Sequence, residues 1–349
     1  MCDAILILSF GGPKRTEDVL PFLENVTRGR NVPRERLLAV AEHYYALGGK
    51  SPINDQCRDL VAALRSELEQ HGLRLPIYWG NRNWHPMLAD TLREMRRDGV
   101  RHALAFVTSP YSSYSGCRQY REDIAAAQAE VGRGAPKIDK VRVFYNHPQF
   151  IEASANRVCE TLSTSFNNEL DAVRLVISAH SVPCSMADTS DYETQLRETS
   201  RLVAEAVGCK SWDLVFQSRS GPPGQPWLGP DILEHLRALR GENVRNILVA
   251  PLGFISDHVE VLYDLDTEAL YLASELGIKM ARSATVGTHP AFIKMIRLLI
   301  AERLFPNEPR LAIGAFGPRH DFCALDCCPA PQRAGRPPVS EVQVVLPRS

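Results

Sequence analysis

The stretch of sequence that decides the fold is Val173-Arg-Leu-Val-Ile-Ser-Ala-His-Ser-Val-Pro183. Its first five residues are apolar except for Arg174 and rich in β-branched side chains, which is typical of a parallel strand buried on both faces. A polar turn follows, and Pro183 prevents the strand from continuing. The sequence therefore predicts that His180 lies at the carboxyl end of a central strand, where open α/β sheets bind ligands. A loop histidine with a purely structural role is the alternative interpretation.

The same order of features occurs near the N-terminus, where Ala4-Ile-Leu-Ile-Leu8 is followed by the loop Ser9-Phe-Gly-Gly-Pro13. Neither half contains Gly-x-Gly-x-x-Gly or a Walker loop, so nucleotide binding has no support. We predict an α/β protein of two similar Rossmann-like halves, each a four-stranded parallel sheet flanked by helices, with a cleft between them. The halves are residues 1–150 and 151–310, and a cysteine-containing extension spans residues 311–349. The remaining strands are predicted at residues 76–80, 103–107, 140–145, 213–217, 246–251 and 279–283.

Length and composition limit the class of protein. The 349 residues are 44% hydrophobic and 23% charged, with a formal net charge of −1, so a nucleic-acid partner is not indicated. No segment reaches the roughly 20 apolar residues that a membrane span needs. The N-terminus lacks the basic region and apolar core of a secretory leader. We therefore expect a cytoplasmic protein whose nine cysteines are not paired in structural disulfides.

A second segment with polar chemistry is Pro251-Leu-Gly-Phe-Ile-Ser-Asp-His-Val-Glu260, which follows a predicted strand. Beyond it, Asp264 and Glu268 continue the spacings of three and four that begin with Asp257 and Glu260, as on one helix face. Acidic residues at a helix start also serve as caps, with Ser256 as the expected N-cap. If these carboxylates face His180, they can bind a divalent metal or relay protons.

Two further loops offer aromatic side chains. The loop at residues 216–230 contains Trp227, and the loop at residues 108–120 contains three tyrosines and Arg118. Aromatic faces beside a guanidinium suit a flat ligand that carries carboxylates. The alternative is a pair of surface loops with half-buried tyrosines.

Over nearly all of residues 3–320, these segments together resemble ferrochelatases. The resemblance implies an enzyme that inserts Fe²⁺, a substrate, into a porphyrin in haem biosynthesis. It further implies that His180 and Glu260 are the catalytic pair at the metal, with Asp257, Asp264 and Glu268 as an acidic path. The motifs that carry the resemblance are Ser178-Ala-His-Ser-Val-Pro183, Gln217-Ser-Arg-Ser-Gly-Pro222, Pro226-Trp-Leu-Gly-Pro230, Phe254-Ile-Ser-Asp-His-Val-Glu260 and Gly48-Gly-Lys-Ser-Pro52.

The resemblance also implies porphyrin-binding positions. Ser51 and Tyr120 match residues that contact the porphyrin in the bacterial branch that uses coproporphyrin III. Phe10 lies where some of those enzymes carry a tyrosine that ligates iron, which a phenyl ring cannot do. The other expected contacts are Trp227, Phe254, and, for the propionates, Arg28 and Arg30.

Metal insertion explains why these residue types are needed. The reaction removes two pyrrole protons from the ring and strips water from Fe²⁺. A neutral imidazole accepts a proton. Carboxylates replace water on the cation.

Three cysteines lie close together after the predicted fold ends, at Cys323, Cys327 and Cys328. Thiolates at such short spacing in a cytosolic protein indicate a metal centre. Some ferrochelatases carry a [2Fe–2S] cluster on three C-terminal cysteines and one internal cysteine, and we predict Cys159 as the internal ligand. Reduced thiols in a loosely ordered tail are the alternative.

Several choices remain open at this level. The run Phe22-Leu-Glu-Asn-Val-Thr-Arg-Gly-Arg30 favours coproporphyrin III over protoporphyrin IX as substrate. A cobalt or nickel chelatase is a second enzymatic alternative, and a non-catalytic tetrapyrrole or metal-binding protein is a third. Besides the porphyrin, a membrane surface and another enzyme of haem biosynthesis are alternative partners, and the sequence does not indicate an oligomeric state.

Overall fold

A computed structural model describes residues 2–30, 32–221 and 224–330. Within them the chain forms two four-stranded sheets in which all strand pairs are parallel. The strands are β1 (Ala4–Ser9), β2 (Ile77–Asn81), β3 (His102–Val107), β4 (Lys137–Lys140), β5 (Arg174–His180), β6 (Trp212–Gln217), β7 (Asn246–Ala250) and β8 (Lys279–Arg282).

The two sheets repeat one topology. Their strand orders are β2-β1-β3-β4 and β6-β5-β7-β8, so β1 and β5 hold equivalent central positions. All six residues of β1 are buried, as is the interior of β5, because strands covered by helices on both faces need continuous apolar runs. The prediction of two similar Rossmann-like halves is confirmed.

Helices cover both sheets. Two stretches are π-helical, Tyr114–Arg118 and Leu262–Ala269, and the sequence predicted neither. Such irregular turns are frequent at functional sites. The α-helices of the described residues are α1 (Val19–Val26), α2 (Arg34–Ala46), α3 (Ile53–Gln70), α4 (Leu88–Arg97), α5 (Gln119–Val131), α6 (Pro148–Phe166), α7 (Cys184–Ala187), α8 (Tyr192–Val207), α9 (Ile232–Gly241), α10 (Val259–Val261), α11 (Leu270–Glu275) and α12 (Pro290–Leu304).

The predicted edge strand at residues 140–145 is wrong in its position. The observed strand β4 ends at Lys140, although the backbone N–H of Val141 still donates to the Ala105 carbonyl at 3.0 Å. Beyond that point Phe144 leaves the sheet and packs into the core, with its ring centroid 5.2 Å from that of Phe106. Burial of this ring outweighs further strand pairing at the edge.

Contacts between the halves join loops that follow strand ends. The Tyr111 hydroxyl, after β3, donates to the carbonyl of Leu252, after β7, at 2.7 Å. One hydrophobic core contains residues from both sheets, and α6, α8 and α12 pack within it. Helix α6 spans the predicted boundary at residue 150, and the domain division remains a prediction. Among the described residues, no helix combines the length and apolarity needed to cross a membrane.

The C-terminal segment, residues 305–330, lies across the fold without forming a helix or strand. Asn146 holds it at two points, since its side-chain amide donates to the Phe316 carbonyl at 2.7 Å and its carbonyl accepts from the Ile313 N–H at 3.0 Å. An ion pair of 2.6 Å joins Arg319 to Asp191 at the start of α8. The predicted tail from residue 331 onward lies outside the described residues.

Candidate functional site

His180 is the last residue of β5, and its surroundings fix one orientation of its ring. Its carbonyl accepts a hydrogen bond from the Tyr192 hydroxyl at 2.8 Å. Its Nδ1 atom bonds to the carbonyl of Ser181, so Nδ1 carries the proton in the neutral ring. The Nε2 atom therefore keeps its lone pair, which can accept a proton or bind a metal.

Glu260 lies opposite this nitrogen. Its Oε2 atom is 3.6 Å from His180 Nε2, and the two side chains are 48% and 33% exposed, so solvent reaches the pair. A second imidazole, that of His258, approaches the same oxygen with Nδ1 at 3.9 Å. Burial lowers the pKa of His258, which favours its neutral form. The structure thus brings together the two residues that the sequence nominated, and it adds His258.

Asp264 forms the inner part of the acidic group. Its Oδ2 atom accepts hydrogen bonds from the Ser218 hydroxyl and, at 3.4 Å, from the Gln217 amide. Burial, together with the charges of Glu260 and Glu268, raises the pKa of Asp264 to about 7. A carboxyl group with this pKa both takes up and releases protons near neutral pH. Burial also raises the pKa of Glu268.

The Asp264→Asn variant is expected to have a less pH-dependent free energy of unfolding. Because the pKa of Asp264 is raised from 3.8 to about 7 in the fold, the native state holds a proton that the unfolded chain releases. Stability therefore falls as pH rises from about 4 to about 7. Urea unfolding across this interval measures the slope. Asp59→Asn, on an exposed face of α3, is the control, and an equal loss of slope in both variants would contradict the assignment.

Asp257, the first residue of the predicted acidic path, is directed elsewhere. Its carboxylate pairs with Arg282 at 3.1 Å, and its backbone N–H donates to Gln56 at 2.9 Å. It precedes α10, whose N-cap is His258 rather than Ser256 and makes no side-chain capping bond. The predicted N-cap at Ser256 is therefore wrong, although Glu260 does lie in the first turn of α10. The carboxylates that lie together are Glu260, Asp264 and Glu268.

The N-terminal half reaches this site through α2. The ring of His43 stacks on that of Tyr263, with centroids 3.7 Å apart and planes 8° apart. Burial lowers the pKa of His43, and the charge of Glu260 acts in the opposite direction. Neither His43 nor Tyr263 was singled out in the sequence, because stacking between distant helices leaves no local pattern.

Arg82 is a further residue that the sequence analysis missed. It is buried after β2, and its guanidinium lies 4.7 Å from the ring centroid of Tyr120 and 5.8 Å from that of Phe10. Asp123 pairs with Arg82 at 2.6 Å. Tyr120 is buried behind the guanidinium, whereas Phe10 is 37% exposed. Its position just after the carboxyl end of β2, like that of His180 at the carboxyl end of β5, was the available signal.

The other predicted porphyrin contacts differ in access. Ser51 is buried, and a Cβ added to Gly12 would lie only 2.7 Å from its Cβ. Trp227 is half-buried, and its indole N–H is buried without a hydrogen-bond partner among the described residues. Phe254 is half-buried, with its ring centroid 4.8 Å from that of His258, and Arg28 and Arg30 are exposed.

Residues 2–304 match the family described as Ferrochelatase. The chain belongs to the ferrochelatase family. It is therefore a metal chelatase, which agrees with the prediction of an enzyme.

Similar ferrochelatases cover nearly the whole chain. One from Rhodopirellula baltica is 54% identical over 339 residues, which are 97% of this chain and 96% of that protein. Coproporphyrin III ferrochelatases of Streptomyces coelicolor and Nocardia farcinica are 49% and 50% identical, covering 96% and 95% of this chain. The matches span 95% and 97% of those two proteins.

A solved structure shares the fold of this ferrochelatase. The sirohydrochlorin chelatase SirB from Bacillus subtilis subspecies spizizenii, in complex with cobalt, has a TM-score of 0.51 and 13% sequence identity. The alignment covers 88% of this chain and 99% of SirB. At this identity the likeness concerns the two-halved fold alone.

Four cysteines of this ferrochelatase lie near one another. The Sγ atoms of Cys327 and Cys328 lie 3.7 Å apart, and Cys328 has a positive φ of 52°. Cys117, in the first π-helical stretch, hydrogen-bonds to Cys323, which lowers the pKa of Cys323 to about 7. The same bond, together with burial, raises the pKa of Cys117.

The internal cysteine that joins this group is Cys117, not the predicted Cys159. Cys159 lies exposed on α6, where partial burial and the neighbouring charge of Glu160 raise the pKa of its thiol. Arg118 donates to the carbonyls of Leu325 and Cys327 at 2.8 and 3.4 Å, so it holds the cysteine segment, whereas the sequence suggested a flat carboxylated ligand beside it.

Proposed function

We propose that this protein inserts Fe²⁺ into coproporphyrin III. The observation that supports this most directly is the solvent-accessible pair of His180 Nε2 and Glu260 Oε2 at 3.6 Å, with a carboxyl group of raised pKa behind it. A protein that only binds a flat ring needs no such pair. The coproporphyrin III ferrochelatases of about half-identical sequence support the choice of porphyrin.

In this proposal each group of the site has a separate task. His180 Nε2 accepts a pyrrole proton. Its Nδ1–H stays hydrogen-bonded to the Ser181 carbonyl, so the ring keeps its orientation. The carboxylate of Glu260 replaces water on the incoming Fe²⁺. Asp264 and Glu268 take the released protons toward solvent. Two protons leave the ring for each Fe²⁺ that enters, so the charge of the porphyrin core is unchanged.

The porphyrin-binding assignments are part of the proposal. Phe10, Trp227 and Phe254 present half-buried or exposed aromatic surface for the ring. Arg28 and Arg30 lie exposed after α1, where they can reach carboxylates at the edge of a ring. Coproporphyrin III carries more propionates than protoporphyrin IX, so exposed arginines favour it.

Iron insertion is expected to be at least ~10-fold more efficient with coproporphyrin III than with protoporphyrin IX, expressed as kcat/KM. This difference corresponds to about 1.4 kcal/mol, which one additional arginine–propionate interaction can supply. Steady-state assays with Fe²⁺ and each porphyrin, on one preparation, measure it. Higher efficiency with protoporphyrin IX would reverse the assignment, and porphyrin binding without turnover would favour the non-catalytic alternative.

We further propose a [2Fe–2S] cluster on Cys117, Cys323, Cys327 and Cys328. Two close thiol pairs, Cys117 with Cys323 and Cys327 with Cys328, suit a centre in which each iron takes two thiolates. Three cations lie around the thiols and can balance the negative charge of such a centre: Lys140, at 3.2 Å from the Cys117 sulfur, Arg118 and Arg121. When bound, the cluster supplies a one-electron redox centre.

The full-length protein, produced with cluster assembly intact, is expected to be reddish and to contain iron and inorganic sulfide. The Cys117→Ala variant loses this absorption, because one iron then lacks a thiolate. Cys159→Ala is the matched control and keeps it, since Cys159 lies exposed on α6. Colour that survives in Cys117→Ala and disappears in Cys159→Ala would restore the original assignment, and a colourless wild-type protein contradicts the cluster itself.

A cytoplasmic location belongs to the same proposal. All nine cysteines are free thiols, including the adjacent pair Cys327 and Cys328. Reduced thiols in this number are typical of a reducing compartment.

A further inference from the structure

His320 lies beside the cysteines but has no place in the proposed cluster. A nitrogen of its imidazole and the sulfurs of Cys323 and Cys327 are all within 4.8 Å of one another. Cys328 adds a sulfur 3.7 Å from that of Cys327. Neither Cys117 nor Cys328 lies within 4.8 Å of all three donors: the Cys328 sulfur contacts that of Cys327, and the Cys117 thiol faces Cys323 and Lys140. The pocket therefore offers five donors to a centre that uses four.

We propose that, when the cluster is absent, the cysteine pocket holds one Zn²⁺-type cation through His320, Cys323, Cys327 and Cys328. This inference shares its thiols with the proposed cluster, and the two metal states exclude each other. They differ in one ligand each, since only the cluster uses Cys117 and only the single ion uses His320.

The donor set suits zinc in type and spacing. Zn²⁺ prefers four tetrahedral ligands, and three cysteines with one histidine are a common structural set. Sulfurs on one zinc lie about 3.8 Å apart, and Cys327 and Cys328 already meet that spacing at 3.7 Å. His320, Cys323 and Cys327 lie within 4.8 Å of one another, so a contraction of about 1 Å brings them to one ion, and rotation of the Cys328 side chain brings in the fourth donor.

Charge and access agree with the same assignment. Each of the three thiols gives up its proton to solvent on binding, so the zinc centre carries one net negative charge. The guanidinium of Arg118 lies beside this centre, since it donates to the carbonyls of Leu325 and Cys327. His320 is exposed whereas Cys328 is buried, so the cation enters from the His320 side.

The test uses the full-length chain, produced in iron-depleted medium and kept reduced, and titrated with Co²⁺ and then Zn²⁺. Co²⁺ in a tetrahedral thiolate site gives visible bands and a strong near-ultraviolet sulfur-to-cobalt band. The catalytic pair of His180 and Glu260 contains no sulfur and cannot produce the second band. We expect one equivalent of Co²⁺ to give both bands and Zn²⁺ to displace it.

Two variants separate the two metal states. His320→Ala is expected to weaken Co²⁺ binding at least ~100-fold and to leave the iron–sulfur absorption of iron-replete protein unchanged. Cys117→Ala is expected to lose the iron–sulfur absorption and to bind Co²⁺ as tightly as the wild-type protein. His320→Cys, which restores a fourth donor, should recover tight binding with the visible bands moved to longer wavelength.

Three results overturn the inference: no sulfur-to-cobalt band in the wild-type protein, a His320→Ala protein that binds Co²⁺ as tightly as wild type, or a Cys117→Ala protein that does not bind it. A wild-type protein that binds Co²⁺ through thiolates but never acquires a cluster supports the inference while refuting the proposed cluster. Failure of one proposal is thereby distinguished from failure of the other.

Discussion

Replacing His180 with alanine is expected to lower the turnover of metal insertion by about 10²- to 10⁴-fold, the range that general-base residues contribute. The variant removes the nitrogen that faces Glu260 at 3.6 Å, and with it the acceptor for the pyrrole proton. The fold should survive, because the backbone contacts at this point remain. The Tyr192 hydroxyl donates to the main-chain carbonyl of residue 180, and the Ser181 hydroxyl donates to the Leu228 carbonyl. Neither bond uses the imidazole, so both persist in the variant.

Three measurements separate the catalytic role of His180 from a structural one. Steady-state assays give the turnover, porphyrin fluorescence quenching gives the affinity for the ring, and thermal unfolding reports the fold. We expect the first to fall while the other two change little. His71→Ala is the matched control, because His71 is exposed at the end of α3. Turnover near the wild-type value in the His180 variant would refute its role.

Glu260→Gln tests the other half of the pair. This change keeps the size of the side chain and removes its charge, so the metal loses an anionic ligand while packing is preserved. Because residues that act as a unit are not additive, the double variant with His180→Ala should be little slower than the slower single variant. Independent effects that multiply in the double variant would show that the two residues act in separate steps.

Arg142→Met is expected to lower the free energy of unfolding by about 3–5 kcal/mol, the cost of leaving one buried partner of an ion pair uncompensated. Arg142 and Glu302 are 0% and 3% exposed and form two hydrogen bonds of 2.8 Å. The same guanidinium donates to the Leu311 carbonyl at 2.7 Å, which holds the C-terminal segment against the fold. The substitution therefore leaves both a buried carboxylate and a buried carbonyl without their donor.

Urea unfolding of the full chain measures this loss. Arg197→Ala is the control, since Arg197 and Glu193 form an exposed pair within α8, and it should cost less than about 1 kcal/mol. The double variant of Arg142→Met with Glu302→Leu should recover much of the loss, because an apolar pair carries no unpaired charge. A single Arg142→Met variant as stable as the Arg197→Ala control would contradict the buried pair.

The sequence was sufficient for the two-halved fold because the relevant signals are local. Apolar runs such as Ala4–Leu8 and Val173–Ile177 cannot be placed on a surface, and the helical periods between strands require crossovers. The strand at residues 140–145 was misplaced because a buried aromatic residue, Phe144, is compatible with both a strand and a core loop. At such edges the tertiary packing decides.

The internal cysteine of the site could not be predicted from the sequence. Cys159 was chosen because it lies on the helix before the His180 strand, but closeness along the chain does not predict closeness in space. Cys117 was reached only because the C-terminal segment crosses the fold, held by Asn146, by Arg319 and, through its Leu311 carbonyl, by Arg142. No local pattern in the segment specifies that path.

The sequence by itself determined the strand that carries His180 and the segment that carries Glu260, since each depends on residues near one another in the chain. Only the tertiary structure decided which carboxylates share the site, because Asp257 turns to Arg282 while Asp264 is buried behind Glu260. It also decided which thiols meet. In both cases the deciding interactions are electrostatic and packing contacts between distant segments, and their energies depend on distances that the order of residues does not contain.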